Sequence, residues 1–244
     1  MLDLAEVLQP RAVLIENVRG LMSAKFDSYR EHIGDRLRLL GYTPAWRLLQ
    51  ASDYGVPQLR PRTIMVALQA ADAEFFEWPT PHPEAAPTVG EVLYESMSSQ
   101  GWKGAKQWAA QASDIAPTLV GGSKKHGGPD LGPTRARQGW AGLGVNGLGI
   151  ADELPDRSFA GVPKITVGQA ALIQGFPPDW IIYGRKTAAY RQVGNAFPPP
   201  VARAVGRQIL GAFAAADAAR ESALAESPPE RTRRRRTGTR TAVI

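Results

Sequence analysis

Three short segments carry side chains that could do chemistry, and the first is Glu16-Asn17-Val18. It follows an apolar run at residues 12–15, which is typical of a buried strand. In open α/β sheets, ligands bind where such strands end. A carboxyl group there can hydrogen-bond to a ring nitrogen and an exocyclic amine together, as the edge of a pyrimidine requires. A glutamate that only caps a neighbouring helix or loop would leave the same pattern.

The second segment is the sequence PQLRPR, in which Gln58, Arg60 and Arg62 alternate with other residues. Alternate side chains of an extended chain share one face and lie roughly 7 Å apart. Two arginines held that close favour an anionic or carbonyl-rich partner, such as phosphate or base oxygens. A salt-bridged strand edge is the alternative interpretation.

The third segment, RQVGNAFPPP at residues 191–200, leads into a helix, because proline is favoured in a first helical turn. Gly194 can let a ligand approach the backbone, and Asn195 offers both an amide donor and an acceptor. A loop before a helix amino terminus suits a polar ligand. A helix entry without a ligand explains the segment equally well.

The elements that must position these residues alternate between strand and helix. Apolar runs predict strands at residues 12–15, 45–49 and 63–68, with a helix at 28–40, and this order suggests an α/β sheet. Residues 79–163 are rich in glycine and proline and predict a loop-rich inserted domain. Helical periodicity returns at residues 166–174 and again at 201–219. The last helix should bury one side formed by Val201, Val205, Ile209, Leu210 and Phe213.

Composition limits the kinds of protein and site that remain. The 244 residues include no cysteine, which excludes disulfides, a thiol nucleophile and cysteine-bound metals in this chain. The three histidines are too scattered to suggest a metal site. No stretch approaches the roughly 20 apolar residues of a membrane span. We therefore expect a cytoplasmic protein that holds no metal and contacts no membrane.

Positive charge is concentrated in the last residues of the chain. Residues 231–244 carry six arginines and no acid, and they account for the whole net charge of +6. We expect residues 221–244 to form a basic, disordered tail that binds polyanions without sequence preference. A solvated end without a function is the alternative.

Four segments in order resemble the last conserved blocks of the DNA cytosine-5 methyltransferase family. They read IENVRGL, YGVPQLRPRTIMVAL, IQGFPPDW and YRQVGNAFPPPVA, within residues 10–70 and 165–210. The resemblance implies a partial Rossmann-like, S-adenosylmethionine-dependent methyltransferase sheet with an inserted target recognition domain. It also implies double-stranded DNA as the substrate, a restriction-modification setting and association with the nucleoid. The predicted division is 1–78 and 164–220 for the catalytic part, 79–163 for the recognition domain and 221–244 for the tail.

The resemblance also implies roles for single residues. In that family the ENV glutamate contacts N3 and the amino group of the flipped cytosine, which points to Glu16. The second arginine of QxRxR contacts the base carbonyl, which points to Arg62, and the first, Arg60, supports the site. The residues implied to contact S-adenosylmethionine are Gly194, Asn195 and Ala196.

Contacts with nucleic acid are expected from the QxRxR block and from the basic stretch at residues 121–140. This stretch has four cations and one acid. Basic residues of a recognition domain can contact phosphates or base edges. The expected contact residues are Gln58, Lys124, Lys125, Arg135 and Arg137.

The sequence also departs from the family pattern. The glycine-rich cofactor loop and the Pro-Cys-Gln nucleophile loop that open the family sequence are not in these 244 residues, and Ile173-Gln174 replaces an arginine before GFP. A half-sheet should then expose an unpaired edge of parallel strands. We expect a chain that is inactive alone, either truncated or completed by a second chain carrying the nucleophile. A non-catalytic DNA-binding fragment and an RNA cytosine methyltransferase fragment remain alternatives.

Overall fold

The computed structural model describes residues 1–82, 84–121 and 129–226, and it confirms an α/β architecture. Three strands form one sheet in the order β1-β3-β2, with β1 at Ala12–Val18, β2 at Tyr42–Gln50 and β3 at Pro61–Gln69. Short 3-10 segments lie at Arg19–Met22, Ala24–Phe26 and Ala51–Tyr54. The helices are α1 Leu2–Leu8, α2 Asp27–Leu39, α3 Ala70–Ala73, α4 Val89–Ser98, α5 Ala105–Gln111, α6 Thr134–Gly142, α7 Val167–Ile173, α8 Lys186–Asn195 and α9 Pro199–Glu226.

The strands pair antiparallel, so the prediction of a parallel sheet edge is wrong for the described strands. β3 lies between the other two and runs against both, with Glu16 opposite Ile64 and Leu49 opposite Arg62. β1 and β2 therefore point the same way, as a strand–helix–strand crossover through α2 requires. After β2, the connection at residues 51–60 reverses the chain, and β3 then lies between β1 and β2.

The two faces of the sheet are covered by different helices. One face packs against α9 and the other against α1 and α2, and β3 supplies alternate residues to each. This alternation is what a central strand with both faces covered requires. Leu210 does not join the buried side of α9 as predicted, because it is 65% exposed while Val201, Val205 and Ala212 face the sheet.

The inserted segment has more regular structure than its glycine and proline content predicts. It contains α4, α5 and α6, and Trp108 and Trp140 anchor its hydrophobic core. Ile173 of α7 and Tyr190 of α8 lie in the same core. The predicted boundary at residues 163–164 therefore does not coincide with a break in packing, and the domain division stays a prediction.

The carboxyl-terminal half of α9 is joined by ion pairs to Arg11, just before β1, and to a buried carboxylate on α3. Asp72 is fully buried and accepts hydrogen bonds from Arg11 at 2.7 and 3.0 Å and from Arg220 at 3.0 Å. Arg11 also pairs with Asp217 of α9 at 3.0 Å. Hydrogen bonds from Arg11 hold the pKa of Asp72 below its usual value. The helix continues to Glu226, which corrects the expected start of a disordered tail at residue 221; residues 227–244 lie outside the described part.

Replacing Asp72 by asparagine should destabilise the fold by roughly 1–3 kcal/mol, since a hydrogen-bonded charge is lost inside a buried cluster. Because the folded-state pKa is lowered, this stabilisation is present above the unfolded pKa of about 3.9 and is lost as the pH falls through the folded value. Urea unfolding at neutral pH and under acid conditions measures it. The exposed pair of Asp35 and Arg38 provides the control Asp35→Asn, for which we expect little change. Equal losses for the two variants at neutral pH would contradict the assignment.

Candidate functional site

Glu16 and Arg62 form an ion pair on the sheet face that α9 covers. Arg62 Nε lies 2.7 Å from Glu16 Oε1, and the two side chains are diagonal neighbours on the paired strands β1 and β3. Glu16 lies inside β1 rather than after its end, which corrects the predicted strand boundary. Its side chain stays 25% exposed because β1 is at the edge of the described sheet. The pair can therefore be reached from outside.

The environment of Arg62 is much less polar than water. Its side chain is 9% exposed, and burial lowers the pKa of Arg62 while the carboxylate of Glu16 opposes that shift. Arg62 Nη1 also donates to the Pro61 carbonyl at 2.9 Å. A guanidinium has five N–H groups in a fixed fork, so it can hold Glu16 and a carbonyl oxygen of a ligand together.

Arg60 ties three separate segments of the chain together. It is fully buried and donates to the carbonyls of Leu119 at 2.6 Å, Gly194 at 2.7 Å and Ala196 at 3.0 Å. Burial and the neighbouring charge of Arg62 lower the pKa of Arg60 to about 9. The supporting role expected of Arg60 stays a prediction, and these bonds are the means by which it could act.

Gln58 faces the interior, and its predicted contact with nucleic acid stays a prediction. The residue is fully buried; its Oε1 accepts from Leu119 N at 2.8 Å and from Arg60 Nη1 at 3.3 Å. Its Nε2 donates to Gln174 Oε1 at 2.6 Å. The predicted alternation is nevertheless present, since Gln58, Arg60 and Arg62 are all buried while Leu59 between them is exposed.

Gln174 is a buried polar residue to which the sequence argument gave no role. Its Nε2 donates to the carbonyls of Val193 at 3.0 Å and Ala196 at 2.9 Å, and the residue is fully buried. Its one signal in the sequence is its place in the segment IQGFPPDW, where Ile173-Gln174 departs from the family pattern. A glutamine before a glycine–proline break can turn its amide inward, but its partners lie far away in sequence.

The turn that follows α8 differs in detail from its predicted use. Gly194 is buried, and a Cβ atom there would lie 2.6 Å from the backbone of Gly121. The glycine therefore permits close packing of two backbone segments, and its predicted contact with a ligand stays a prediction. Asn195 is exposed and Ala196 partly exposed, so these two can still contact a ligand.

The predicted basic contact residues are only partly within the described chain. Arg135 and Arg137 lie on α6 and not in a loop. Residues two apart in a helix point in different directions, so the two side chains do not share a face. Arg135 is exposed, whereas Arg137 is partly buried and donates to Thr134 Oγ1 at 3.4 Å. Lys124 and Lys125 lie outside the described residues.

A cavity of about 940 Å³ lies away from the Glu16–Arg62 pair. The residues that line it belong to α4, α7, α8 and the loops between them, and they include none of the predicted site residues. Three acids face this cavity, and Lys186 pairs with one of them, Asp152, at 2.7 Å. This balance of charge disfavours phosphate, so we do not assign the cavity to nucleic acid.

Comparison with known proteins agrees with these motifs. The family model for C-5 cytosine-specific DNA methylases matches residues 1–211. The chain is 57% identical over 214 residues to the Type II methyltransferase M.NaeI of Lentzea aerocolonigenes, covering 86% of this chain and 52% of that protein. It is 49% identical over 213 residues to the Type II methyltransferase M.NgoMIV of Neisseria gonorrhoeae, covering 86% of this chain and 67% of the relative. The chain thus spans about half of M.NaeI and about two thirds of M.NgoMIV.

A solved structure shows the same fold at low sequence identity. It is a proposed DNA modification methyltransferase encoded within an E. coli prophage, with a TM-score of 0.54 and 20% identity. The superposition covers 87% of this chain and 72% of that one. The three-stranded antiparallel sheet, with β3 in the centre, is therefore part of a methyltransferase fold. Among the residues described here, none of the helices is both long and apolar enough to cross a bilayer.

Proposed function

The chain belongs to the C-5 cytosine-specific DNA methylase family, and from that premise we propose that it is the base-contacting and DNA-recognising part of a DNA cytosine-C5 methyltransferase. The Type II relatives support a restriction-modification setting. The observation that carries the proposal is the ion pair of Glu16 and Arg62, 2.7 Å apart on an accessible edge strand. Action on chromosomal DNA would place the protein at the nucleoid in the cytoplasm.

In this proposal Glu16 and Arg62 hold a flipped cytosine by its polar edge. The Glu16 carboxyl group would hold a proton at N3 and accept from the exocyclic amine, while Arg62 would donate to the O2 carbonyl. Charge builds up on the ring when a thiolate adds to C6, so a prearranged pair in a poorly hydrated site stabilises the transition state. The low exposure of Arg62 supplies such a site.

S-adenosylmethionine would supply an electrophilic methyl group in this reaction. Of the three residues predicted to contact it, exposed Asn195 and partly exposed Ala196 fit a polar ligand, and buried Gly194 does not. The carbonyls of Gly194 and Ala196 are already engaged by Arg60. We therefore propose that the Asn195 side chain forms the cofactor contact of this turn.

A second protein part must provide the nucleophile, because these 244 residues contain no cysteine. An apolar strip along the β1 edge is a suitable surface for it. The strip occupies both faces of this edge: Leu14 and Val18 flank Glu16 on the α9 side of β1, and the exposed residues of α1 lie on the opposite side of the sheet. It comprises Leu4, Val7, Leu8, Leu14 and Val18, which are between 39% and 79% exposed. We propose that a Pro-Cys-Gln-bearing half docks here, on the same chain or a separate one, and thereby encloses Glu16.

DNA would be contacted by the inserted segment and the basic end of the chain. Exposed Arg135 is the clearest described candidate, and Arg137, Lys124 and Lys125 remain proposals. The arginines of residues 231–244 would contact phosphates. Because such contacts release counterions, the affinity for DNA should fall as the salt concentration rises. An RNA substrate is the alternative, and an assay with both nucleic acids separates the two.

We expect the purified chain alone to transfer no methyl group from S-adenosylmethionine to DNA. Mixing it with a Pro-Cys-Gln-bearing half from a relative such as M.NaeI should restore transfer, because that half brings the missing thiolate. Tritium incorporation into duplex DNA, single-stranded DNA and RNA measures the product. A Cys→Ser variant of the added half is the control.

Two results would overturn the proposal. One is 5-methylcytosine formed by this chain without any thiol-bearing partner. The other is a lack of transfer by a mixture in which sedimentation shows that the two halves have associated.

A further inference from the structure

A buried network of three polar side chains connects the base-contacting pair to the turn after α8. Gln58, Arg60 and Gln174 are fully buried, and their hydrogen bonds reach five backbone carbonyls and one N–H group. Arg60 is two residues before Arg62 on the same extended segment. The network therefore fixes Arg62 relative to the turn that bears Asn195.

The end of α8 needs such partners. The last four carbonyls of an α-helix have no acceptor role within the helix, and they carry the negative end of its dipole. Arg60 donates to Gly194 O, and Gln174 donates to Val193 O. The helix is thus capped by the side chain just before β3 and by the one just after α7, 134 and 19 residues away in sequence.

Within residues 1–82, 84–121 and 129–226, Gln174 has the only side-chain amide that bonds both to the QxRxR segment and to the turn. Its oxygen accepts from Gln58 Nε2 at 2.6 Å, while its nitrogen donates to Val193 O and Ala196 O. Since each of its two amide ends serves a different segment, neither segment can shift without breaking a bond in a buried site. A buried polar group that loses its partner is destabilising, because no water replaces the lost bond.

We infer that Gln174 is a positioning residue for the cofactor-contacting turn, and this inference rests on the proposed function. It acts through the backbone of residues 193–196 and does not touch the reacting groups. Its loss should weaken the use of S-adenosylmethionine more than the use of DNA. A displacement of about 1 Å in such a turn can cost roughly a hundredfold in rate.

The test compares Gln174→Met with Gln169→Met in the enzyme completed by a Pro-Cys-Gln-bearing half. Gln169 lies in α7, which ends one residue before Gln174, and is a matched control: it is nearly fully buried and its amide bonds Thr166 and Ser96, away from the turn. We expect Gln174→Met to raise KM for S-adenosylmethionine roughly ten- to a hundredfold. KM for DNA and the parameters of Gln169→Met should change little.

A third variant separates positioning from packing. Gln174→Glu keeps the acceptor for Gln58, but a carboxylate cannot donate to the two carbonyls. We expect it to behave like Gln174→Met at neutral pH and to recover as the pH falls, because a protonated carboxyl group can donate again. A purely structural role predicts no such recovery in KM.

Hydrogen exchange of the unmixed chain gives a readout that does not depend on catalysis. Exchange in residues 193–198 should be faster in Gln174→Met than in Gln169→Met, with other segments equal. Equal exchange, or equal KM for S-adenosylmethionine in an active enzyme, would overturn the inference. An inactive wild-type mixture would instead count against the proposed function, and the exchange result would still decide whether Gln174 holds the turn.

Discussion

Methyl transfer should fall roughly 10²–10³-fold when Glu16 is replaced by glutamine in the completed enzyme. Glutamine keeps the shape of the side chain but cannot hold an acidic proton at N3 or balance the charge of Arg62, which is 2.7 Å away. The effect should be on kcat, because the lost interaction matters most when charge builds up on the ring. Single-turnover transfer at saturating S-adenosylmethionine and DNA measures it.

The control for this variant is Glu31→Gln, a change of the same type on the exposed side of α2. Circular dichroism and a thermal melt should accompany both, because the variant also removes the partner of a buried arginine. Wild-type turnover in a folded Glu16→Gln enzyme would show that Glu16 does not contact the base. A fall caused by unfolding would appear in the melt.

Arg60→Lys should be the most destabilising conservative substitution in the site, by about 2–4 kcal/mol. Both residues carry a charge into a fully buried position. An ammonium group is more strongly hydrated than a guanidinium, and its charge is concentrated on one nitrogen atom. It cannot reach Leu119 O and Gly194 O together, as the guanidinium does at 2.6 and 2.7 Å. Urea unfolding followed by tryptophan fluorescence measures the loss.

The pH dependence of this variant has a definite sign. Burial lowers the folded-state pKa of a lysine below its unfolded value of about 10.4. The penalty for the charged form is therefore full below the folded pKa and shrinks as the pH rises toward the unfolded one. Arg203→Lys, on the exposed side of α9, is the matched control and should change stability by less than about 0.5 kcal/mol. A free energy of unfolding of Arg60→Lys that falls as the pH rises toward about 10, or a loss at neutral pH equal to that of the control, would contradict the role assigned to Arg60.

The sequence predicted the elements that depend on local pattern. The apolar runs located all three strands, and the alternation of Gln58, Arg60 and Arg62 correctly indicated a shared face. It did not indicate whether that face is exposed, because the covering carbonyls of Leu119 and Gly194 come from segments 59 and 134 residues away. Periodicity also cannot give strand direction, which explains the error about parallel pairing.

Other features were present in the sequence but carried a weaker signal. The capping boxes Thr88 with Glu91 and Thr166 with Gln169 begin α4 and α7 in the structure. The first would have predicted a helix in the segment interpreted as loop-rich. By contrast, α6 contains Gly139 and Gly142 and has weak helical propensity, so packing of Trp140 in the core must stabilise it.

The close packing of Gly194 on Gly121 sets a rule for exchanging the inserted segment between related chains. A methyl group on Gly194 would meet backbone atoms of residues 120 and 121 at 2.6–2.7 Å, and backbone cannot rotate away as a side chain can. A graft that begins after Gly121 keeps this junction intact, whatever sequence follows. A graft that begins earlier must bring its own glycine there, or the transplanted segment will be seated away from the helix end. The fit between the inserted segment and the end of α8 thus depends on a pair of residues that both lack side chains.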